Sequence, residues 1–153
     1  MSEPSPAAAE VLVRGMEAAD LPSAGPLLRQ LGYDVAGPEL RLKFDAVQGA
    51  DGHALFVAEI DDRIVALMHV FARPALEKPL EAIVQALVVD DACRGCGVGR
   101  RMMAVAERWA VDRGYRSLSL SSQVDRDDAH AFYQALGYGI SSTAHTLRKR
   151  IDP

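Results

Sequence analysis

The sequence predicts a single α/β domain in the order β-α-α-β-β-β-α-β-α-β, and three observations predict it. The chain has 153 residues, the size of one hydrophobic core. Segments with apolar residues at period two alternate with segments at helical spacing. Residues 82–89 (AIVQALVV) are nearly all apolar, as a strand buried on both faces requires, and a glycine-rich loop and a long helical stretch follow them.

Composition excludes several other classes. With 49% hydrophobic and 25% charged residues, the chain is not of the disordered, collagen-like or coiled-coil type. Seventeen Lys and Arg against 21 Asp and Glu leave a formal charge of −4, which argues against a general nucleic-acid binder and weakly favours cationic partners. Two cysteines give no disulfide framework, so a reducing compartment is expected. There is no basic start followed by an apolar run, and no stretch of eighteen apolar residues, so a cytoplasmic protein without a membrane partner is expected.

The elements follow in order. Residues 1–9 are small, polar and proline-bearing and are expected to form a loose tail, with a single domain over 10–153. Val11 and Val13 alternate as a short strand. Asp20 and Pro22 then predict a capped helix to about Leu31, its first turn disturbed by Pro26 and its end set by Gly32. Residues 38–47 predict a second helix. Residues 54–60 and 64–71 read as a hairpin about the polar turn Asp61, Asp62, Arg63, and 72–79 as a loop.

After the strand at 82–89 comes the glycine loop, then a helix over 100–113 with Met102, Ala106 and Trp109 on its apolar face and Gly114 at its end. Residues 117–121 alternate as a strand. Asp127 can cap a helix carrying Ala129, Phe132, Tyr133 and Leu136, closed by Gly137, and residues 138–148 are expected to be a last strand.

The loop Arg94-Gly95-Cys96-Gly97-Val98-Gly99 has the chemistry of a pyrophosphate cradle. Glycines let backbone N–H groups point into a concavity, and a helix N-terminus adds about half a positive charge. It is not a Walker loop, because Arg100 and Arg101 stand where Lys and Ser or Thr would follow. A dinucleotide site would place the loop after the first strand and an acidic residue on the next, whereas here the next strand ends in Ser121 and Ser122. A plain tight connection between strand and helix remains the alternative for the loop alone.

The second segment, Arg126-Asp127-Asp128-Ala129-His130-Ala131-Phe132-Tyr133 with Leu136-Gly137-Tyr138, supplies context. With R-x-x-G-x-G at 94–99 and A-x-x-F-Y-x-x-L-G-Y at 129–138 in this order, the sequence resembles the GNAT N-acetyltransferase superfamily over roughly residues 11–148. The N-terminal part, residues 14–20 before a helix and Leu31-Gly32-Tyr33 after it, is similar as well. The resemblance implies a mixed, mostly antiparallel central sheet with a splayed parallel pair, flanked by helices on both faces, and a bulge near Val89.

It also implies acetyl-CoA as cosubstrate. The pyrophosphate would be held by backbone N–H groups of Gly95, Cys96, Gly97, Val98, Gly99 and Arg100, beside Arg94, and the pantetheine arm would pair with Leu87, Val88 and Val89. Acetyl would pass directly to a primary amine of a small molecule or peptide, with a backbone donor near Leu87 for the oxyanion. Tyr133 occupies the general acid's position, and its phenol is protonated at neutral pH; the same spacing fits a core tyrosine.

Glu81, at the mouth of the strand and on one face with Gln85 by period two, is the candidate base through a water, or else a solvated strand-end residue. Tyr33 and His53 are lesser candidates. Arg126 stands where many members of the family carry Asn, and would meet a CoA phosphate or lie at the surface. The competing class is a non-catalytic acyl-CoA sensor or scaffold, motivated by the lack of an evident base and by Arg126.

The pair Cys93 and Cys96 resembles a redox motif, but such a motif opens a helix in a different strand order, and two thiols make no zinc site, so small loop residues are the expected reading and no metal is expected. His130 and His145 lack a nucleophile partner and read as structural or surface residues. The resemblance and exposed strand edges are compatible with a homodimer.

Overall fold

Asp20 shows how the first elements lock together. The computed structural model describes residues 10–35, 37–122 and 124–152; the expected tail at 1–9 lies outside them. Strand β1 (Leu12–Gly15) leads through a 3-10 turn (Ala18–Asp20) into helix α1 (Leu21–Leu31). Asp20 stands at the cap position, but its carboxylate makes no cap bond. It accepts the Glu17 N–H at 2.8 Å and both Arg14 amino groups at 2.8 and 2.9 Å. The expected cap thus serves the turn before the helix instead. Burial of Asp20 rewards this use, because a buried carboxylate needs a cation and donors more than a helix end needs a cap.

Helix α1 tolerates Pro26 because the N–H it lacks would serve only the carbonyl of Pro22 in the first turn. Gly32, at φ 108°, ends it in the left-handed conformation, its N–H on the Arg29 carbonyl. Helix α2 (Gly37–Gln48) follows, then strands β2 (His53–Ile60) and β3 (Arg63–Arg73). The β2–β3 turn is made by Asp61 and Asp62 alone, both at positive φ, and Arg63 already belongs to β3. Two left-handed residues in a two-residue turn match the right-handed twist of the flanking strands.

Strand β4 (Glu81–Val89), helix α3 (Val98–Asp112) and strand β5 (Leu118–Leu120) complete a five-stranded sheet in the order β1-β2-β3-β4-β5. All neighbours are antiparallel except β4 and β5, which are parallel. The sheet is therefore the expected mixed one, with a single parallel pair among the described strands, at the β5 edge.

Its two faces are covered differently. Val57, Leu67 and Val88 pack with Met16, Ala24, Leu27 and Phe44 beneath α1 and α2. The alternate residues Ala66, Met68 and Val70 meet the side of α3, where Met102, Met103, Ala106 and Trp109 are buried. Fully burying side chains of this size contributes roughly 1.5–3 kcal/mol each, so this double layer holds the fold.

The chain divides into two compact units, Met1–Leu120 and Ser121–Pro153. The second contains helix α4 (Asp127–Ala135), whose first residue is Asp127; Arg126 holds the cap position that Asp127 was expected to fill. Gly137, at φ 96°, closes the helix as expected. The strand expected at 138–148 does not form: residues 138–152 are irregular, and 139–152 are exposed. Their alternation is carried by few apolar residues, Ile140 and Leu147 among them, both open to solvent. Without a buried face an alternating segment has little to pin it as a strand. Among the described residues, no helix is long and apolar enough to cross a membrane.

Candidate active site

The parallel ladder is short. It pairs Ala82 with Leu118, Ile83 with Ser119 and Val84 with Leu120, and stops there. Strand β4 continues for five more residues, so among the described residues its edge on the β5 side carries no ladder from 85 to 89. On its other edge, β4 stays paired with β3 up to Val89 opposite Ala66.

A bulge accompanies this divergence. His69 is opposite Ala86 and Val70 opposite Val84, so Gln85 is an extra residue in β4. The bulge lies at Gln85 and not near Val89, four residues later. It inverts the alternation: Glu81 and Ile83 share a face with Ala86 and Val88, and Gln85 is out of phase and exposed. The period-two relation between Glu81 and Gln85 is therefore absent.

The loop after β4 is fixed at its base. Asp90 accepts the Ala92 N–H at 3.1 Å and pairs with Arg63 at 3.5 Å, and Gln30 of α1 receives the Asp91 N–H at 2.9 Å. Gln30 ties α1 to this loop, a role with no signal in its own stretch of sequence. Gly95 and Gly97 then adopt φ values of 82° and 81°, which side chains adopt only at a cost. Gly97 caps α3, accepting the Arg101 N–H, and the buried Val98 anchors the first turn.

Helix geometry leaves the N–H groups of Val98, Gly99 and Arg100 without intrahelical acceptors. Of the other expected donors, Cys96 already gives its N–H to the Cys93 carbonyl at 3.4 Å. Arg94 is exposed and paired with Asp91 at 2.9 Å, and Arg100 is exposed. The loop is thus an open, cationic helix start with a preset backbone, which can hold a pyrophosphate.

Leu87 and Val89 are half-buried, and the Val88 side chain is in the core, so these three residues can offer a ligand their backbone edge. Glu81 stands at the far end of β4, six residues or about 20 Å from Leu87. Its carboxylate accepts from Arg73 at 2.9 Å, from the Ser119 hydroxyl at 3.0 Å and from the Ser117 hydroxyl at 3.3 Å. Tyr33 lies exposed after α1.

His53 belongs to a cluster that the sequence does not announce. Its Nδ1 is 2.9 Å from Nε2 of His69, and its ring stacks on Phe71 with centroids 5.1 Å apart. His69 carries no signal in its own stretch of sequence, because only the register across two strands brings it to His53. Burial, then the neighbouring His53, brings the His69 imidazole down to a pKa of about 4.

In the second unit, Tyr133 is half-buried, 5.0 Å from the Phe132 ring and 6.1 Å from that of Tyr138, centroid to centroid. Burial pushes its phenol pKa up, and the charge of the exposed Arg126 opposes the shift. Among the described residues, no group of three metal-ligating side chains converges.

The chain matches the model of the acetyltransferase (GNAT) family over residues 26–138. It is 28% identical to the uncharacterized N-acetyltransferase YhdJ of Bacillus subtilis over 118 residues, covering 76% of this chain and 83% of that protein. It is 29% identical to the aminoglycoside N(6')-acetyltransferase type 1 of Stenotrophomonas maltophilia over 104 residues, 68% of this chain and 64% of that one. In fold it superposes on an aminoglycoside N-acetyltransferase solved with CoA at a TM-score of 0.85, with 20% identity and 96% and 99% of the two chains covered. With both the glycine loop at 94–99 and the helix end at 129–138 inside the matched segment, the chain belongs to the GNAT acetyltransferase family.

Proposed function

We propose that the protein transfers an acetyl group from acetyl-CoA directly to a primary amine of a small molecule or peptide. The observation that carries this reading is the end of the parallel ladder at Val84 and Leu120, shortly before the left-handed turn at Gly95 and Gly97 and the start of α3. A bare strand edge suits an extended, amide-bearing arm, and the helix start beyond it suits a pyrophosphate.

In this reading the backbone of Leu87, Val88 and Val89 pairs with the pantetheine arm. The N–H groups of Gly95, Gly97, Val98, Gly99 and Arg100 hold the pyrophosphate, Cys96 shapes the turn, and Arg94 and Arg126 offer charge to phosphate oxygens. Relatives that act on aminoglycosides, one of them solved with CoA, support the cosubstrate and the amine class.

Acetyl-CoA, when bound, supplies an acetyl thioester whose sulfur leaves as the thiol. A backbone N–H near Leu87 stabilises the oxyanion as the amine adds. Tyr133 holds a proton at its phenol oxygen throughout the neutral range, as burial favours, and gives it to the departing sulfur.

The test is calorimetric titration with acetyl-CoA, with NADH and ATP as controls, followed by free-thiol release across a panel of amines. Acetyl-CoA binding with amine-dependent thiol release is expected. Binding without release from any amine would favour an acyl-CoA sensor, and no binding would overturn the reading.

A further inference from the structure

We propose that His53 and His69 act as one proton-accepting pair for the attacking amine, beside the point where β4 bulges against β3 and its pairing with β5 ends. The proposal rests on the acetyltransferase reading above and names a residue pair for the step that Glu81 is poorly placed to perform.

His69 lies directly across from Ala86, one residue from Leu87 and beside the Gln85 bulge. Cross-strand neighbours have Cβ atoms about 4.5–5.5 Å apart, so the His69 Cβ is one strand from the backbone assigned to the oxyanion, with its ring turned toward His53, whereas Glu81 is six residues down the strand. The pair is half-buried, so an acceptor can reach it.

One hydrogen fills the 2.9 Å contact between His53 Nδ1 and His69 Nε2. If His53 donates, its Nε2 carries the free lone pair; if His69 donates, its Nδ1 does. In either tautomer one outer nitrogen of the neutral pair accepts a proton. A second proton is disfavoured because the two rings would then repel at contact distance. Stacking on Phe71 holds the His53 ring in place.

Among the described residues, the other charges on this side of the sheet are paired or exposed: Arg14 of β1 is bonded to Asp20 and to Glu59 of β2, and Arg29 of α1, the helix that packs against β3 and β4, is exposed. Arg73 and Glu81, the charged residues on the same face of β3 and β4, are bonded to each other. On α2, which packs against β2, Glu39 pairs with Lys43 and Arg41 with Asp45, all exposed, and Asp51 is exposed in the turn before β2. Burial, with a smaller push from His53, keeps His69 neutral down to a pH of about 4.

In the step, the amine nitrogen forms its bond to the acetyl carbon and loses one N–H proton to the pair. The C–S bond breaks with its electron pair on sulfur, which takes the Tyr133 proton. Imidazolium and phenolate then return to rest by proton exchange with water.

The experiment compares the full chain with His53→Gln and His69→Gln. Each variant should lower kcat at least tenfold and remove the acidic limb of the pH profile, with acetyl-CoA affinity kept within threefold. The double variant should be no slower than the slower single one, because the residues act as a unit. In the resting protein, NMR titration of the imidazole protons should show the His69 pKa rising in His53→Gln.

The pair is overturned if both single variants keep kcat within twofold and keep the acidic limb, if the limb vanishes in Glu81→Gln while both histidine variants keep it, or if the His69 titration ignores the loss of His53. Absence of acetyl-CoA binding by the unaltered chain overturns the transferase reading itself, and is read separately by calorimetry.

Discussion

Val84 and Leu120 are the last paired residues of the only parallel ladder among the described strands, and Gln85, the next residue along β4, is bulged out of the β3 ladder as well. Pairing is lost on one edge and irregular on the other at the same point in the strand. Backbone groups that a sheet would consume are thereby left for a ligand at 85–89.

Acetyl-CoA affinity should depend on the backbone of the turn. Gly95→Ala and Gly97→Ala each place a side chain at φ near 80°, at a cost of about 1–2 kcal/mol. No neighbouring atom obstructs the added carbon, so conformation alone is tested. Calorimetry should find each variant folded and binding acetyl-CoA roughly tenfold or more weakly; the double variant should be weaker still.

Turnover should depend on the Tyr133 oxygen. Tyr133→Phe keeps the ring contacts with Phe132 and Tyr138 but removes the proton. A fall in kcat of about 10²-fold, with acetyl-CoA affinity unchanged, is expected from stopped thiol release. Full turnover in the variant would exclude the general-acid role.

Stability should fall in mild acid through His69. Its folded pKa, about 4, is below the ordinary 6.5, so the unfolded chain binds the proton first. The native state therefore loses stability as pH falls from about 6.5 towards 4, by up to about 3 kcal/mol. Urea denaturation at pH 7 and 4.5 should reveal this loss, and His69→Gln should reduce it.

A second acid-sensitive element is Asp20. Its hydrogen bonds from Arg14, against the opposing effect of burial, hold its pKa below the usual carboxylate range, and the Glu17 N–H helps. Its contribution is present above the unfolded carboxylate pKa and is lost as pH falls through the depressed folded value. Asp20→Ala should cost about 2–3 kcal/mol at pH 7 in urea denaturation, because it leaves Arg14 without its main partner and the Glu17 N–H unanswered.

Features encoded within a few residues could be read from the sequence. The left-handed glycines at 32, 114 and 137 end helices as their positions suggest, and the strand, glycine turn and helix from 81 to 112 follow their local pattern. Features made by register could not. Gln85 is bulged only because of how β3 pairs with it, and His69 meets His53 across sixteen residues. Glu81 looks free at a strand mouth, yet Arg73 from β3 and serines thirty-six and thirty-eight residues away occupy it. Asp20 read as a cap because the sequence gives no sign that Arg14 turns back onto it.

In the proposed reading the bare edge of β4 and the start of α3 together receive acetyl-CoA, and amide hydrogen exchange measures both directly. Adding acetyl-CoA should slow exchange at 85–89 and at 95–100 in the same titration, while NADH and ATP leave the β4 amides unchanged. Binding of acetyl-CoA that protects neither segment, or protects the glycine loop while the β4 edge exchanges as before, would show that the β4 edge does not receive it.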